Sequence, residues 1–283
     1  MDNGKMGSLS TEDVQYIHTQ YQKRMDTGST TEEEGVVICL DVLGWKSYTR
    51  PNQIENLTAL TAGLETTILS ETLRVSDDNK NSKIDIINLS DTIFIFISNN
   101  SSYFFANVFK ALAKFINDAF IYSFAFRGAI SYGKYKYNKT KNIFTGNAVY
   151  EAAKYCESTE WAGIIITDSL ATELLKKNDY ETLERIHLIK YEDIPYKESF
   201  LKEHSRCEGF LALNPNRIAF GPVGEYMADE NLIDKYTRYF SNGTGVISDE
   251  LKGKYENTIK FIEFINKFSK LPKNNKGEEN ERE

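Results

Sequence analysis

Two aspartates, Asp41 and Asp91, lie at positions from which their carboxylates could take part in chemistry. Asp41 lies at the end of an apolar run, residues 36–42, that has the length and composition of a buried β-strand. Asp91 lies between two β-rich runs whose junction predicts a hairpin, so it would occupy the hairpin tip. We predict that these two side chains meet and hold metal ions.

The chemistry of the pair favours a divalent cation. Two carboxylates at one sheet edge repel each other unless a cation lies between them, and Mg²⁺ and Mn²⁺ prefer such oxygen ligands. The backbone carbonyl of Val42 would add a further oxygen. Each aspartate alone has a simpler interpretation, because Asp41 could cap a helix and Asp91 could form the turn. The metal prediction therefore depends on the two residues meeting.

The residues after Asp41 predict a glycine turn that leads into a helix. The unpaired N–H groups and positive dipole end of such a helix suit a phosphate group. Together with two metal ions, this arrangement is typical of phosphoryl transfer on a nucleoside triphosphate. We predict substrate contacts from Leu43, Gly44 and Trp45. Tyr48 would contact the base or ribose, or would pack in the core instead.

The order of predicted elements indicates how the two aspartates are brought together. Residues 36–137 read as strand, helix, helix, strand, strand, helix, strand. Crossover handedness permits a ferredoxin-like antiparallel sheet for this order, which makes the fold α+β. In that topology the first and third strands are antiparallel neighbours, so Asp41 lies beside the hairpin tip that carries Asp91.

Extra helices are predicted on both sides of this sheet. A Ser-Thr-Glu-Asp capping box at residues 10–13 opens a polar helix near the N-terminus. We predict four segments: an N-terminal helix and linker over 1–32, a catalytic domain over 33–222, a C-terminal helical extension over 223–269, and a disordered tail over 270–283.

Composition excludes several classes of protein. A formal net charge of −7 argues against a general binder of nucleic acids or membrane surfaces. The three cysteines show no pairing pattern, which predicts a reducing compartment without disulfides, and the three histidines lack metal-ligand spacing. No apolar run approaches ~18 residues and the N-terminus lacks a signal-peptide pattern. We predict a cytoplasmic location, without a membrane or nucleic-acid partner.

Four motifs, in order, resemble those of the class III adenylate and guanylate cyclases. Cys-Leu-Asp-Val-Leu-Gly-Trp around Asp41 is similar to the first metal motif, and Asn-Leu-Ser-Asp-Thr-Ile-Phe around Asp91 to the second. Phe-Arg-Gly-Ala-Ile-Ser-Tyr-Gly around Arg127 resembles the family's Arg-x-Gly-Ile strand, and residues 144–154 resemble its fourth motif. The resemblance covers about residues 33–170 and implies the catalytic core of these cyclases.

The same resemblance implies two Mn²⁺ (or Mg²⁺) ions per site and a homodimer whose sites are built across two subunits. The family uses an Asn and an Arg of the fourth motif on the ribose and the transition-state phosphates. Tyr150 and Lys154 stand at those places, and a lysine cannot supply the bidentate fork of an arginine. Arg127 would stabilise phosphate charge, or would be a strand residue that pairs with Glu151 or Glu157.

Three features are similar to the pyrimidine cyclases of bacterial anti-phage (Pycsar) systems. They are the first motif, the glutamate-rich helix over 151–157 and the additional C-terminal helices. That similarity implies that UTP or CTP is converted to cyclic UMP or cyclic CMP, with manganese, and that the product activates a separate effector. Three alternatives stay open. They are a purine class III cyclase, a catalytically degenerate nucleotide-binding module, and a GGDEF-type dinucleotide cyclase, whose paired glycines are missing here.

Overall fold

The computed structural model of the protein describes residues 31–45, 52–73, 84–98, 102–138, 141–176, 178, 180–215, 218–220, 225–227 and 231–269. The predicted N-terminal helix, Tyr48 and the tail over 270–283 lie outside the described residues. Among the described helices, none is both long and apolar enough to cross a bilayer.

The strands follow one another along the chain as β1 (Thr31–Val42), β2 (Ile84–Leu89), β3 (Thr92–Ile97), β4 (Phe126–Asn138), β5 (Ile143–Thr145), β6 (Ile164–Ile166), β7 (Leu188–Lys190), β8 (Leu211–Leu213), β9 (Ile218–Phe220) and β10 (Glu225–Met227). The α-helices are α1 (Gln53–Leu73), α2 (Ser102–Ala119), α3 (Asn147–Ser158), α4 (Asp168–Leu175), α5 (Tyr180–Arg185), α6 (Glu198–Glu203), α7 (Leu232–Phe240) and α8 (Asp249–Ser269).

The large sheet has the strand order β2-β3-β1-β4-β6-β8-β7, and β5 pairs with β4. Strand β1 is antiparallel to both β3 and β4, whereas β6 is parallel to β4. The order of the first four strands is that of a ferredoxin-like sheet, and helices pack on both of its faces. The predicted α+β fold with an antiparallel ferredoxin-like sheet is therefore confirmed.

Strand β1 is central, and its apolar side chains divide between two cores because neighbouring side chains point to opposite faces. Val36 and Ile38 belong to one core, together with α1, α2 and α4. Val37 and Cys39 belong to the other core, together with α3, α6, α7 and α8. We call the face of the sheet that borders this second core the Asp41 face, because the odd-numbered residues of β1 point to it. The predicted burial of Cys39 is confirmed.

Gly128 marks a place where β4 runs very close to β1. A Cβ atom added there would lie 2.7 Å from the Cys39 carbonyl oxygen and 2.7 Å from Cδ2 of Leu40. Neither neighbour has room for that atom, since one is backbone and the other is a fully buried side chain. Only glycine fits this position, one residue after Arg127.

The fourth-motif segment begins as a strand, and its helix starts only at Asn147, although the sequence pattern from Phe144 to Ser158 predicts a helix throughout. Residues Ile143–Thr145 pair with the end of β4 instead and form β5. Gly146 then takes a φ of +126°, which a glycine adopts without strain, and the chain turns into α3. The pairing of β5 with a neighbouring strand overrides the helical pattern here.

Candidate active site

Asp41 is the next-to-last residue of β1, and the sheet register places it between Thr92 of β3 and Arg127 of β4. It follows the alternation of Val37 and Cys39, so its side chain lies on the Asp41 face. Its carboxylate is only 18% exposed. A charged group thus stands in the middle strand of the sheet, close to the end of the strand.

Asp91 forms the tight turn between β2 and β3 together with Ser90, whose φ is +58°. The Val42 N–H donates a hydrogen bond of 2.9 Å to the Asp91 carbonyl. The end of β1 therefore lies directly beside the hairpin tip. The structure brings Asp41, Val42 and Asp91 to one edge of the sheet, as the predicted topology requires.

The electrostatic environment of Asp41 has opposing contributions. Burial is the largest effect and raises the pKa of this carboxyl above its ordinary value. The charge and hydrogen bond of Arg127 act to lower the pKa, while the negative charges of Asp91 and Glu157 act to raise it. The balance is a raised pKa. An additional cation at this place would stabilise the ionised form.

Arg127 connects the site to the chain after α3. Its Nε donates to Oδ2 of Asp41 at 2.7 Å, and its side chain is 14% exposed. Its Nη1 donates to the carbonyl oxygens of Thr159 and Glu157 at 3.2 and 3.4 Å. The alternative in which Arg127 pairs with the carboxylates of Glu151 or Glu157 is wrong. Its carboxylate partner is Asp41, because the β1–β4 register sets the two side chains opposite each other.

The turn after β1 is anchored in the core at its first residue. Leu43 is buried, and its N–H donates to the Ala125 carbonyl at 2.9 Å, so this amide already has a protein partner. Gly44 follows with a φ of +67°, a conformation that glycine adopts without strain. The ring of Trp45 stacks on Phe124 at a centroid distance of 6.4 Å. A phosphate-binding turn would therefore begin at Gly44.

The two fourth-motif residues both lie on α3. Tyr150 is 64% exposed on α3, and Lys154 Nζ lies 5.2 Å from the centre of its ring. Helix α3 contacts the Asp41 site through its last turn, where Cys156 Sγ lies 3.7 Å from the Arg127 carbonyl oxygen. Tyr150 and Lys154 therefore form an aromatic and cationic pair on α3.

Sequence reasoning missed one contact from the C-terminal helices. The hydroxyl of Tyr239, on α7, donates a hydrogen bond to the carbonyl oxygen of Leu43. The two residues are 196 positions apart, and no motif marks Tyr239 in the sequence. An aromatic residue on an amphipathic helix predicts core packing, which gives no indication of this hydrogen bond.

The oxygen atoms at this edge suit a hard divalent cation. Asp41 and Asp91 offer carboxylates, and Val42, which follows Asp41, offers its backbone carbonyl. Within the part of the chain that the structure describes, no group of three or more His, Cys, Asp or Glu side chains is placed to hold a metal. Mg²⁺ and Mn²⁺ commonly take one or two carboxylates and complete their shell with water and substrate phosphates. The residues fit an open site of that kind.

Comparison with known proteins finds no matching family model and no matching curated protein. Among solved structures, the chain is similar to the adenylyl cyclase CyaB from P. aeruginosa, with 12% identity, a TM-score of 0.39, and coverage of 65% of this chain and 93% of that one. It is also similar to the guanylyl cyclase Cya2, with 12% identity, a TM-score of 0.36, and coverage of 54% and 81%. A bacterial light-regulated adenylyl cyclase matches with 10% identity, a TM-score of 0.38, and coverage of 63% and 60%.

Proposed function

We propose that the protein is a class III-type nucleotide cyclase that converts a pyrimidine nucleoside triphosphate, UTP or CTP, to the 3′,5′-cyclic monophosphate and pyrophosphate. One observation carries the proposal. Asp41, near the end of β1, and Asp91, in the turn that leads into the neighbouring strand β3, are remote in sequence and lie at the same end of the sheet, where the charge of Asp91 acts to raise the pKa of Asp41. A ferredoxin-like sheet that presents paired carboxylates beside a glycine turn suits a triphosphate substrate.

In this proposal each residue of the site has a separate role. Asp41, Asp91 and the Val42 carbonyl would hold two Mn²⁺ or Mg²⁺ ions, which supply positive charge to the triphosphate and favour ionisation of the ribose 3′-hydroxyl. The turn at Gly44 would face the β- and γ-phosphates. In the reaction the O3′–Pα bond forms, the bond from Pα to the bridging oxygen breaks, the hydroxyl proton passes to water, and pyrophosphate leaves.

Arg127 would stabilise charge on the reacting phosphate. Its guanidinium is held on one side by the Thr159 carbonyl, which fixes its position at the sheet edge. Its Nε donates to Asp41. The same N–H would donate to a phosphate oxygen once Asp41 takes another partner, so the arginine would reach the substrate without leaving its backbone anchor.

We also propose a homodimer in which Tyr150 and Lys154 of one copy complete the site of the other. The resemblance to class III cyclases, whose sites are built across two subunits, supports this arrangement. Tyr150 is largely exposed and offers an aromatic face to a base or ribose. Lys154 would add a positive charge near the triphosphate.

The pyrimidine substrate and the biological role rest on the sequence resemblance to anti-phage pyrimidine cyclases. In that role the enzyme would act in the bacterial cytoplasm and make cyclic UMP or cyclic CMP during infection. The product would activate a separate effector, so the cyclase itself would need no direct contact with that effector. Tyr150 and Lys154 stand where purine cyclases of this class use Asn and Arg, which supports a different substrate.

A nucleotide-binding module without turnover is the second candidate. The ion pair between Arg127 and Asp41 favours it, because the guanidinium already balances the carboxylate that a metal would need. A metal would have to compete with that arginine. The two candidates differ in one measurable outcome: the module binds the triphosphate and releases it unchanged.

The test is to incubate the purified protein with each of the four ribonucleoside triphosphates and Mn²⁺, and to separate the products by chromatography. Cyclic UMP or cyclic CMP is the expected product. A purine cyclic nucleotide would contradict the pyrimidine assignment, and a linear or cyclic dinucleotide would indicate the GGDEF-type chemistry. Binding of a triphosphate without any product would support the module.

Variants Asp41→Ala and Asp91→Ala assign the chemistry to this edge of the sheet. Each should abolish product formation while the protein stays folded. Asp118→Ala is the matched control, because Asp118 is an exposed carboxylate on α2 that pairs only with Lys114 among the ion pairs of the described residues. If either site variant keeps most of the activity, the metal assignment is wrong.

A further inference from the structure

The C-terminal helices reach the turn that follows Asp41. Helix α7 is strongly amphipathic, and its buried residues Leu232, Tyr236, Tyr239 and Phe240 pack in the core of the Asp41 face. Tyr236 meets the ring of Phe120 edge-on at 4.6 Å. This packing directs the Tyr239 hydroxyl at the Leu43 carbonyl oxygen, to which it donates.

This hydrogen bond orients the whole Leu43–Gly44 peptide unit, and not the carbonyl group alone. The Leu43 C=O and the Gly44 N–H belong to the same planar peptide unit and point in opposite directions. A donor that holds the carbonyl oxygen therefore also fixes the direction of the Gly44 N–H. The other side of Leu43 is held as well, because its N–H donates to the Ala125 carbonyl at 2.9 Å.

Helix α8 packs against α7. The hydroxyl groups of Tyr255 and Thr237 are 3.1 Å apart, and Tyr255 also packs edge-on against Phe240 at 5.7 Å. Helix α8 also contacts the segment that receives Arg127. Asn257 Nδ2 donates to the Glu160 carbonyl at 2.9 Å, and Thr258 Oγ1 accepts from the Ala162 N–H at 2.8 Å.

We propose that Tyr239 is a positioning residue of the active site, which orients the Leu43–Gly44 peptide so that the Gly44 N–H faces the triphosphate. The inference rests on the proposed function, and it gives the C-terminal extension a part in substrate binding. Tyr239 does not touch the substrate. It acts through the backbone of the turn, from an element that packs on the same face as Asp41.

The substitution Tyr239→Phe tests this role. It removes the hydroxyl and keeps the ring, so the packing against Phe240 is retained. Loss of one hydrogen bond that orients a phosphate-binding amide should weaken binding about tenfold. The first readout is the dissociation constant of Mn²⁺ with inorganic tripolyphosphate, measured by calorimetry, which requires no turnover. The second is the KM for the metal–triphosphate, which should rise while kcat changes less.

Tyr255→Phe is the matched control. It removes a hydroxyl that faces Thr237 between α7 and α8, and it keeps the ring that packs against Phe240. Both variants should lower the thermal unfolding midpoint by a similar small amount, but only Tyr239→Phe should weaken tripolyphosphate binding. Equal binding by the wild type and Tyr239→Phe would overturn the proposal, and so would an equal loss in both variants.

The outcomes also separate this proposal from the proposed function. If the wild type makes a cyclic nucleotide and Tyr239→Phe behaves like it, the positioning role is wrong and the function stands. If the wild type binds tripolyphosphate without making product, and Tyr239→Phe binds more weakly, the positioning role stands and the cyclase activity is wrong. A wild type that neither binds nor turns over contradicts both.

Discussion

Strands β1 and β4 carry two cross-strand pairs of a carboxylate with a cation, and the two pairs behave differently. Asp41 is opposite Arg127, and Glu32 is opposite Lys136. The two ion-pair distances are nearly equal, 2.7 and 2.8 Å. Yet the pKa of Asp41 is raised, whereas the pKa of Glu32 is lowered by its hydrogen bond and attraction to Lys136.

Solvent exposure explains the difference. The Asp41 and Arg127 side chains are 18% and 14% exposed, and those of Glu32 and Lys136 are 61% and 51% exposed. At the buried end, the cost of removing a carboxylate from water, together with the negative charges of Asp91 and Glu157, outweighs the attraction of the nearby cation. The same two strands thus provide an ordinary surface pair at one end and a strained electrostatic site at the other. A carboxylate held at such a cost is a good candidate for function.

The largest predicted effect concerns activity. Asp41→Asn should reduce cyclic nucleotide formation by on the order of a thousandfold, because the neutral amide cannot replace a carboxylate as a ligand for Mn²⁺. Glu32→Gln removes the same charge at the exposed end of β1 and should leave turnover unchanged. Initial rates of product formation with Mn²⁺ measure both. Comparable losses in the two variants would mean that net charge, and not the site, is responsible.

The next effect concerns stability. Arg127→Ala should lower the free energy of unfolding by about 2 kcal/mol, since it leaves the partly buried Asp41 without its cation. Lys136→Ala should have no measurable effect, because its partner is solvated. Urea denaturation of the metal-free protein gives both values. A stability loss from Lys136→Ala as large as that from Arg127→Ala would contradict the role given to burial.

The contributions of Asp41 and Glu32 to the free energy of unfolding should also change with pH in opposite directions. A raised pKa means that folded Asp41 binds a proton more tightly than the unfolded chain does. Its contribution to stability is therefore greatest below the ordinary value of 3.8 and falls as pH rises through the raised folded pKa. For Glu32 the lowered pKa gives a contribution that is present above 4.5 and is lost as pH falls through the lowered folded pKa.

The measurement for this prediction is urea denaturation from about pH 3 to pH 7 in the presence of EDTA. With rising pH, the free energy of unfolding of the wild type should decrease relative to Asp41→Asn. Over the same range it should increase relative to Glu32→Gln. If both differences change in the same direction, the two carboxylates do not have opposite pKa shifts.

The smallest effect is the response to salt. At 1 M salt the Debye length is only about 3 Å, so exposed charges are screened more strongly than buried ones. The coupling between Glu32 and Lys136, from a double-mutant cycle, should disappear on going from low salt to 1 M NaCl. The coupling between Asp41 and Arg127 should persist. A salt-sensitive coupling at the Asp41 end would show that water reaches the pair freely.

The sequence predicted the part of the site that depends on topology alone. Asp41 at a strand end and Asp91 at a hairpin tip are local assignments, and the strand order that joins them follows from a general rule of connection. The partner of Arg127 could not be predicted in the same way. The register between β1 and β4 decides whether Arg127 stands opposite Asp41 or one step away, and a strand pattern does not specify register to that accuracy.

Contacts between distant elements were the least predictable. Helices α7 and α8 lie within the helical extension predicted over 223–269, since an apolar face marks a helix in the sequence. Periodicity does not say where on the sheet a helix packs, so the hydrogen bond from Tyr239 to Leu43 could not be foreseen. Short elements were missed for a related reason. Strand β5 has three residues, too few for a period-2 pattern to identify it.

The close approach at Gly128 determines how freely this site can vary. Since backbone occupies the space where a side chain would stand, the separation of the two strands is set by their hydrogen bonds and cannot widen to suit a larger neighbour. The side chains at positions 41 and 127 can therefore be substituted while their backbone positions stay the same. Related sequences that alter the chemistry at this end of the strands should replace those side chains and keep the glycine. Position 128 is therefore a good guide for aligning distantly related sequences.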